Sequence, residues 1–395
     1  VNSSKKYKKK LVVCLSRFPY PLEKGDKLRA FFQIRDLSEF FEIYLICTIE
    51  NHVKTEELDL LKKYCKEIHL FKLNRFTQIF NLLINFLSIK PFQVVYFTQY
   101  KIKKNIGFLL QKIKPDHIFC QLIRPAEYVK NYHDCPKTLD IMDALSKGME
   151  RQSKNSNFFM KLFYREESER LKKYERQIIN YFENILIISK QDKEFILHPN
   201  KDKIIVLPNG VNEAFIDKTN LNFEKNIDIL FTGNMNYFPN IEACKYIYKE
   251  LYPFFKLNKI KTTICGANPS KVIQKLNQND FEVTGWVEDI KRVYLKSKIF
   301  IAPMFSGTGM QNKILEAMAL GIPCITTTLA NNAILAKPNE EILIANTKEE
   351  FISSINLCLN DKDLYSKLAK NSQNFILENY NWKKINQNLS EIIKV

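Results

Sequence analysis

Short apolar runs alternate with longer amphipathic stretches along the whole chain, and they do so in two successive series. The first series falls at 11–15, 43–47, 68–71, 117–120, 138–142 and 185–188. The second falls at 227–231, 262–265, 281–284, 299–302, 324–327 and 342–344. Runs this short, bounded by turn residues, read as strands buried on both faces. Helical spacing between them predicts helices, among them 27–40, the charged 159–182, 240–255 and 287–297. Strands that alternate with helices need right-handed crossovers and therefore parallel sheets. Two series predict two Rossmann-like, doubly wound α/β domains.

The pattern breaks at Pro208-Asn209-Gly210, and few apolar residues follow as far as 220. This predicts an N-terminal domain over 1–207 and a second over 208–374, with a helical tail at 375–395 that contains Trp382. Length agrees, because 395 residues exceed one ordinary core. A hydrophobic content of 45% with 29 phenylalanines is enough to fill two.

Charge changes the picture less than its size suggests. The formal net charge is +17, a value to which nucleic acid, anionic membranes and phosphorylated small molecules all respond. The lysines are spread over nearly every segment, and no zinc finger or dense aromatic-basic RNA motif is present, so no nucleic-acid partner is expected. The nine cysteines form no CxxC pair, and several sit inside apolar runs as small hydrophobes. An odd count without framework spacing fits a reducing cytoplasm. The five histidines are isolated, so no metal site is expected. The basic start is followed by only five apolar residues, 11–15, fewer than the roughly seven of a signal-peptide core. No stretch approaches the roughly 18 apolar residues of a membrane span.

The densest chemistry lies at 307–323, GTGMQNKILEAMALGIP, directly after the apolar run at 299–304. A strand, a glycine turn and a helix start make a phosphate site, because free N–H groups and the positive helix end face the ligand. Lys313 can neutralise a second phosphate charge. Glu316, one turn on, can accept two hydrogen bonds from a vicinal diol such as a ribose. A nucleotide-diphosphate sugar carries both groups.

These residues resemble the donor site of retaining family-4 glycosyltransferases, which have the two-domain GT-B fold. The matching residues are Glu316, Ala317, Met318, Gly321 and Pro323. The resemblance implies that Glu316 holds the donor ribose, and that Gly307, Thr308, Gly309, Met310, Gln311 and Asn312 lie beside sugar and diphosphate. The chain departs from the common pattern at Thr308, where most relatives carry a first glutamate; Gln311, Asn312 and Lys313 stand as the variant's replacement. VLPNGVNEAF at 206–215 also resembles the family's segment between its domains, and the family's last helix crosses back onto the first domain.

Three further places follow from the same resemblance. In FTGNMNYFPN, Gly233 and Asn234 bring backbone N–H groups to the carboxyl edge of the sheet, and Asn234 and Asn240 stand where relatives hold the diphosphate with Arg and Lys, which leaves Lys313 as the better cation; a plain strand–helix turn is the other reading. Gly25 and Asp26, in SRFPYPLEKGDKLR, resemble the glycine loop of the first domain, with Arg29 as an anion-binding group; Asp26 reads equally as a helix cap. Asp143 replaces a histidine that contacts the transferred sugar, and can accept from sugar hydroxyls or cap the next helix.

The function expected is retaining, metal-independent transfer from a nucleotide-diphosphate sugar to a glycan or lipid-linked acceptor. Asp143, Lys313 and Glu316 are the expected catalytic residues, and no cofactor is needed beyond the donor. A sugar-nucleotide 2-epimerase of the same architecture and a non-enzymatic binder of anionic lipid or nucleic acid are the alternatives. Residues 75–114 carry large apolar residues on a helical period beside many cations. They read as core helices or as an amphipathic surface on the inner face of the cytoplasmic membrane.

Overall fold

The computed structural model describes residues 8–22, 24–154, 156–216, 223–307 and 310–394. Two units divide the chain: the first closes at Pro208 and takes in the residues from Lys383, and the second is Asn209–Trp382.

The first unit is built on β1 (Lys10–Leu15), β2 (Glu42–Ile49), β3 (Cys65–Lys72), β4 (His117–Gln121), β5 (Lys137–Met142), β6 (Asn184–Ile187) and β7 (Ile205–Val206). They form one sheet in the order β3-β2-β1-β4-β5-β6-β7, with every pairing parallel. The second unit has β8 (Ile227–Thr232), β9 (Thr262–Cys265), β10 (Phe281–Gly285), β11 (Ser297–Ala302), β12 (Cys324–Thr326) and β13 (Leu343–Ile344). Its order is β10-β9-β8-β11-β12-β13, again parallel throughout. Central strands such as Leu11–Leu15 and Ile299–Ala302 are almost wholly buried, as helices covering both faces require. Each unit is a doubly wound, Rossmann-like domain.

The differences from the sequence reading have local causes. The helical stretch expected at 240–255 is Phe238–Tyr246, a π-helical turn Ile247–Leu251 and Tyr252–Leu257. Pro253 has no N–H to continue the α ladder, and the Tyr252 N–H bonds Ile247 O instead. The helix expected at 287–297 shrinks to Ile290–Leu295, because Asp289 caps it through the Arg292 N–H (3.1 Å) and Ser297 already pairs in β11. The tail expected as one helix breaks at Tyr380–Asn381, where the Val211 N–H bonds Tyr380 O (2.7 Å). Trp382, fully buried, then lies against Gly210; a Cβ there would stand 2.6 Å from the indole, so this position has room only for glycine. Asn386 of the following helix Trp382–Lys394 donates to Phe32 O (3.1 Å) and to Asp36 Oδ2 (2.7 Å).

Residues 75–114 divide. The helix Tyr100–Ile113 is a core helix that buries Ile102, Ile106, Leu110 and Ile113. The helix Arg75–Ile84 buries only Gln78 and leaves Phe76, Ile79, Phe80, Leu83 and Ile84 exposed.

Candidate functional site

In the six-stranded sheet the order reverses between β8 and β11. Connections leaving the carboxyl ends of these strands therefore run to opposite faces, and the crevice between them is where open α/β sheets take ligands. Two loops flank it: 233–237, which leads into the helix Phe238–Tyr246, and the described residues 303–307 and 310–311, which precede the helix Asn312–Ala319.

Lys313 and Glu316, three apart, share one face of that second helix. The Lys313 ammonium donates to Asn240 Oδ1, lies 3.6 Å from Met304 Sδ and sits 4.9 Å from the centroid of the Phe231 ring. Asn240 is oriented in turn by its amide, which donates to Asn234 O (2.9 Å). Gly233 permits this, because a Cβ there would come within 2.6 Å of Asn240 Nδ2. Any side chain at 233 would displace the amide that positions Lys313.

Glu316 Oε2 accepts from the Tyr294 hydroxyl (3.2 Å), which also lies 2.6 Å from Thr232 Oγ1 and 3.2 Å from Lys313 O. A phenol has one proton. It serves Glu316 when the Thr232 hydroxyl donates to the Tyr294 oxygen. The second loop reaches the helix Phe238–Tyr246 where Ser306 donates to Glu242 Oε2. Asn312 Oδ1 accepts from Asn209 Nδ2 (3.0 Å), which ties the helix start to the beginning of the second unit.

Lys313 and Glu316 are both half-buried. Burial pushes the Lys313 ammonium down to about 7, against the weaker pull of Cys244 and Glu316. Burial pushes the Glu316 carboxyl up to about 7, opposed by the Tyr294 hydrogen bond and Lys313. Both shifts disfavour the charged forms. The Glu316 contribution to folding is lost as pH rises from 4.5 to about 7, and the Lys313 contribution as pH falls from 10.5 to about 7. Diphosphate binding needs the ammonium, and diol binding needs the carboxylate. Affinity of the free protein for a nucleoside diphosphate is therefore expected to peak near pH 7 and fall about tenfold per unit on each side. Calorimetry from pH 5.5 to 8.5 checks this; a flat profile would remove both groups from the site.

The expected donor residues thus fall in different places. Gly233, Asn234, Gly307, Met310, Gln311, Asn312, Lys313 and Glu316 belong to the second unit, on its two loops and the helix; Thr308 and Gly309 lie outside the described residues. Gly25, Asp26 and Asp143 belong to the first unit.

In the first unit two readings change. Asp26 is not the helix cap: the helix Gly25–Leu37 has Lys24 at its N-cap, and Asp26 in the first turn pairs with Arg17 (3.2 Å). Arg29 is no anion receptor. Its guanidinium is fully buried, with Nε 2.6 Å from Asp140 Oδ2 and its amines 3.0 Å from the carbonyls of Leu207 and Pro208. Two other cations follow strands of this sheet, Arg17 after β1 and Arg124 after β4. Both lie over Phe97, at 5.8 and 5.4 Å. Burial lowers the Arg124 pKa, and Arg17 adds to this, while Asp26, Asp143 and Glu50 oppose it. Asp143 thus stands in a mixed-charge cluster that the sequence did not connect.

Tyr294 and Thr232 were also missed. In the sequence Tyr294 is one more aromatic before a buried strand, and its contacts lie 19 to 62 residues away.

Residues 226–361, most of the second unit, match the sequence profile of the family described as Glycosyl transferases group 1. The chain is 24% identical over 400 residues to an uncharacterized 44.6 kDa protein in the cps region of Klebsiella pneumoniae, covering 95% of this chain and 97% of that one. It is 26% identical over 224 residues to a UDP-Gal:alpha-D-GlcNAc-diphosphoundecaprenol alpha-1,3-galactosyltransferase of Escherichia coli, covering 50% and 56% of the two chains. The structure of HepE from Anabaena, solved in complex with UDP-glucose, superposes with a TM-score of 0.69 over 97% of this chain and 99% of that one, at 12% identity. The fold is GT-B, two parallel-sheet Rossmann-like domains. Residues 226–361 form a group 1 glycosyl transferase domain, and the protein is a glycosyltransferase.

Proposed function

We propose that the protein is a retaining hexosyltransferase that moves a sugar from a nucleotide-diphosphate donor to a lipid-linked or glycan acceptor without a metal ion. The observation that carries this is the Lys313–Glu316 pair, poised at a helix start by Asn240, Tyr294 and Thr232. Glu316 takes the donor ribose. Lys313 and the first N–H groups of the helix Asn312–Ala319 take the charge that gathers on the diphosphate as the glycosidic bond breaks. With that charge held by the chain itself, no metal is needed to activate the leaving group. In a retaining, same-face reaction the leaving phosphate accepts the proton of the attacking hydroxyl. Two relatives support the substrate class: one was solved with UDP-glucose, and the other is named for a diphosphoundecaprenol-linked acceptor. Nine unpaired cysteines, eight of them buried, suit a reducing cytoplasmic location.

The test is incubation with nucleotide sugars, with and without a polyprenyl-diphosphate glycan, followed by mass and anomeric analysis of the product. One added hexose with the donor's anomeric configuration, formed equally in chelator, is expected. Sugar isomerised without acceptor, or an inverted product, would overturn the reading.

Lys313→Ala is expected to weaken nucleoside diphosphate binding about tenfold or more while leaving free nucleoside unchanged, since the lysine faces phosphate. Calorimetry on nucleoside, monophosphate and diphosphate makes the comparison. Equal losses for all three would mean that Lys313 acts through packing.

A further inference from the structure

The first unit exposes far more large apolar surface than a soluble face carries. On the helix Arg75–Ile84 and the turn after it, Phe76 is 85% and Leu87 91% exposed, with Phe80 and Leu83 more than half exposed. A second element adds to it: at the start of the helix Phe158–Ile178, Phe159 is 82% exposed and Leu162 more than half.

The two elements are packed together. Arg170 donates to the carbonyl of Phe86 (2.7 Å), Glu167 accepts from the N–H groups of Phe92 (2.8 Å) and Gln93 (3.0 Å), and Phe92 stacks on Phe163 at 5.4 Å. These contacts clamp the 85–93 turn onto the helix Phe158–Ile178. The apolar side chains therefore project from a fixed platform and not from a loose arm.

Charge selects the partner. Residues 73–115 contain seven lysines and arginines and no aspartate or glutamate, and residues 151–165 contain four and none. Lys90 and Lys103 turn to Glu127, while Arg75, Lys101, Lys161 and Arg165 are exposed. Apolar side chains projecting from a rigid base within wholly cationic segments match the boundary of an anionic bilayer, where the chains enter the acyl region and the cations meet head groups. A protein partner's apolar patch would leave these cations without counter-charge. Among the described residues no helix is long and apolar enough to cross a membrane, so contact is with one face of the bilayer.

We infer that this surface docks the protein on anionic membranes through Phe76, Phe80, Leu83, Leu87, Phe159 and Leu162. The inference rests on this surface and goes beyond the transferase reading.

Flotation of the full chain with phosphatidylcholine vesicles, with and without 30% phosphatidylglycerol, at low and high salt, tests it. The protein is expected to float with anionic vesicles, with at least tenfold weaker partitioning onto neutral ones and a clear loss at high salt. Phe80→Asp/Leu83→Asp/Leu87→Asp, and separately Phe159→Asp/Leu162→Asp, should each lower partitioning tenfold or more at unchanged melting temperature, since these side chains are already exposed. Protein that stays at the bottom of every gradient overturns the inference, as do variants that float like the parent. A parent dimer that these substitutions dissociate, without flotation, would show that a second copy covers the face.

Discussion

Glu316→Ala is expected to abolish sugar transfer in a protein that still folds. A carboxylate that holds a ribose diol makes two charge-assisted hydrogen bonds, each worth about 1.5–3 kcal/mol. Losing both removes roughly two to four orders of magnitude in nucleotide affinity. The fold should survive, because burial already disfavours this charge, and Tyr294 keeps Thr232 as a partner. Glu316→Gln retains one acceptor and should fall between the two. Nucleotide affinity and turnover on the purified variants give the answer. Unchanged values for both would remove the donor site from this helix.

The second large effect is on stability. Arg29 and Asp140 form an ion pair with both side chains fully buried, and Asp140 also accepts from Gln33 Nε2 (3.1 Å) and the Met142 N–H (3.2 Å). Asp140→Ala leaves the guanidinium buried with only the Leu207 and Pro208 carbonyls among these partners. Breaking such a pair from one side costs about 3–5 kcal/mol. Chemical denaturation should show the loss in the transition of the first unit. The double change Arg29→Met with Asp140→Leu should recover part of it, limited by the two carbonyls it orphans. An unchanged midpoint for Asp140→Ala would mean that the pair contributes nothing there.

The fold was largely legible because apolar runs between turn residues are a local signal. Ile299–Ala302 and Thr262–Cys265 are strands for the reason their sequence suggests. The two-residue β7 (Ile205–Val206) is too short to carry a period. The π turn before Pro253 and the cap at Asp289 moved helix boundaries by local chemistry that a periodic reading averages away.

The candidate site was legible in its residue types and not in its partners. Lys313 and Glu316 stood out by spacing on one helix, while Asn240 reaches Lys313 from 73 residues away and Thr232 reaches Tyr294 from 62. The same blindness made Arg29 look like a ligand-facing cation. Its carboxylate partner, 111 residues on, comes to it only when β5 joins the sheet beside β4. Sequence spacing finds groups that share an element. It does not find the side chains that neutralise or orient them from another.

The donor is expected on the helix Asn312–Ala319. A crystal structure of the protein grown with a nucleoside diphosphate tests it most directly. A diphosphate oxygen is expected about 2.7–3.2 Å from Lys313 Nζ, with both ribose hydroxyls at that distance from the Glu316 carboxylate. A nucleotide bound with neither residue in contact would contradict it.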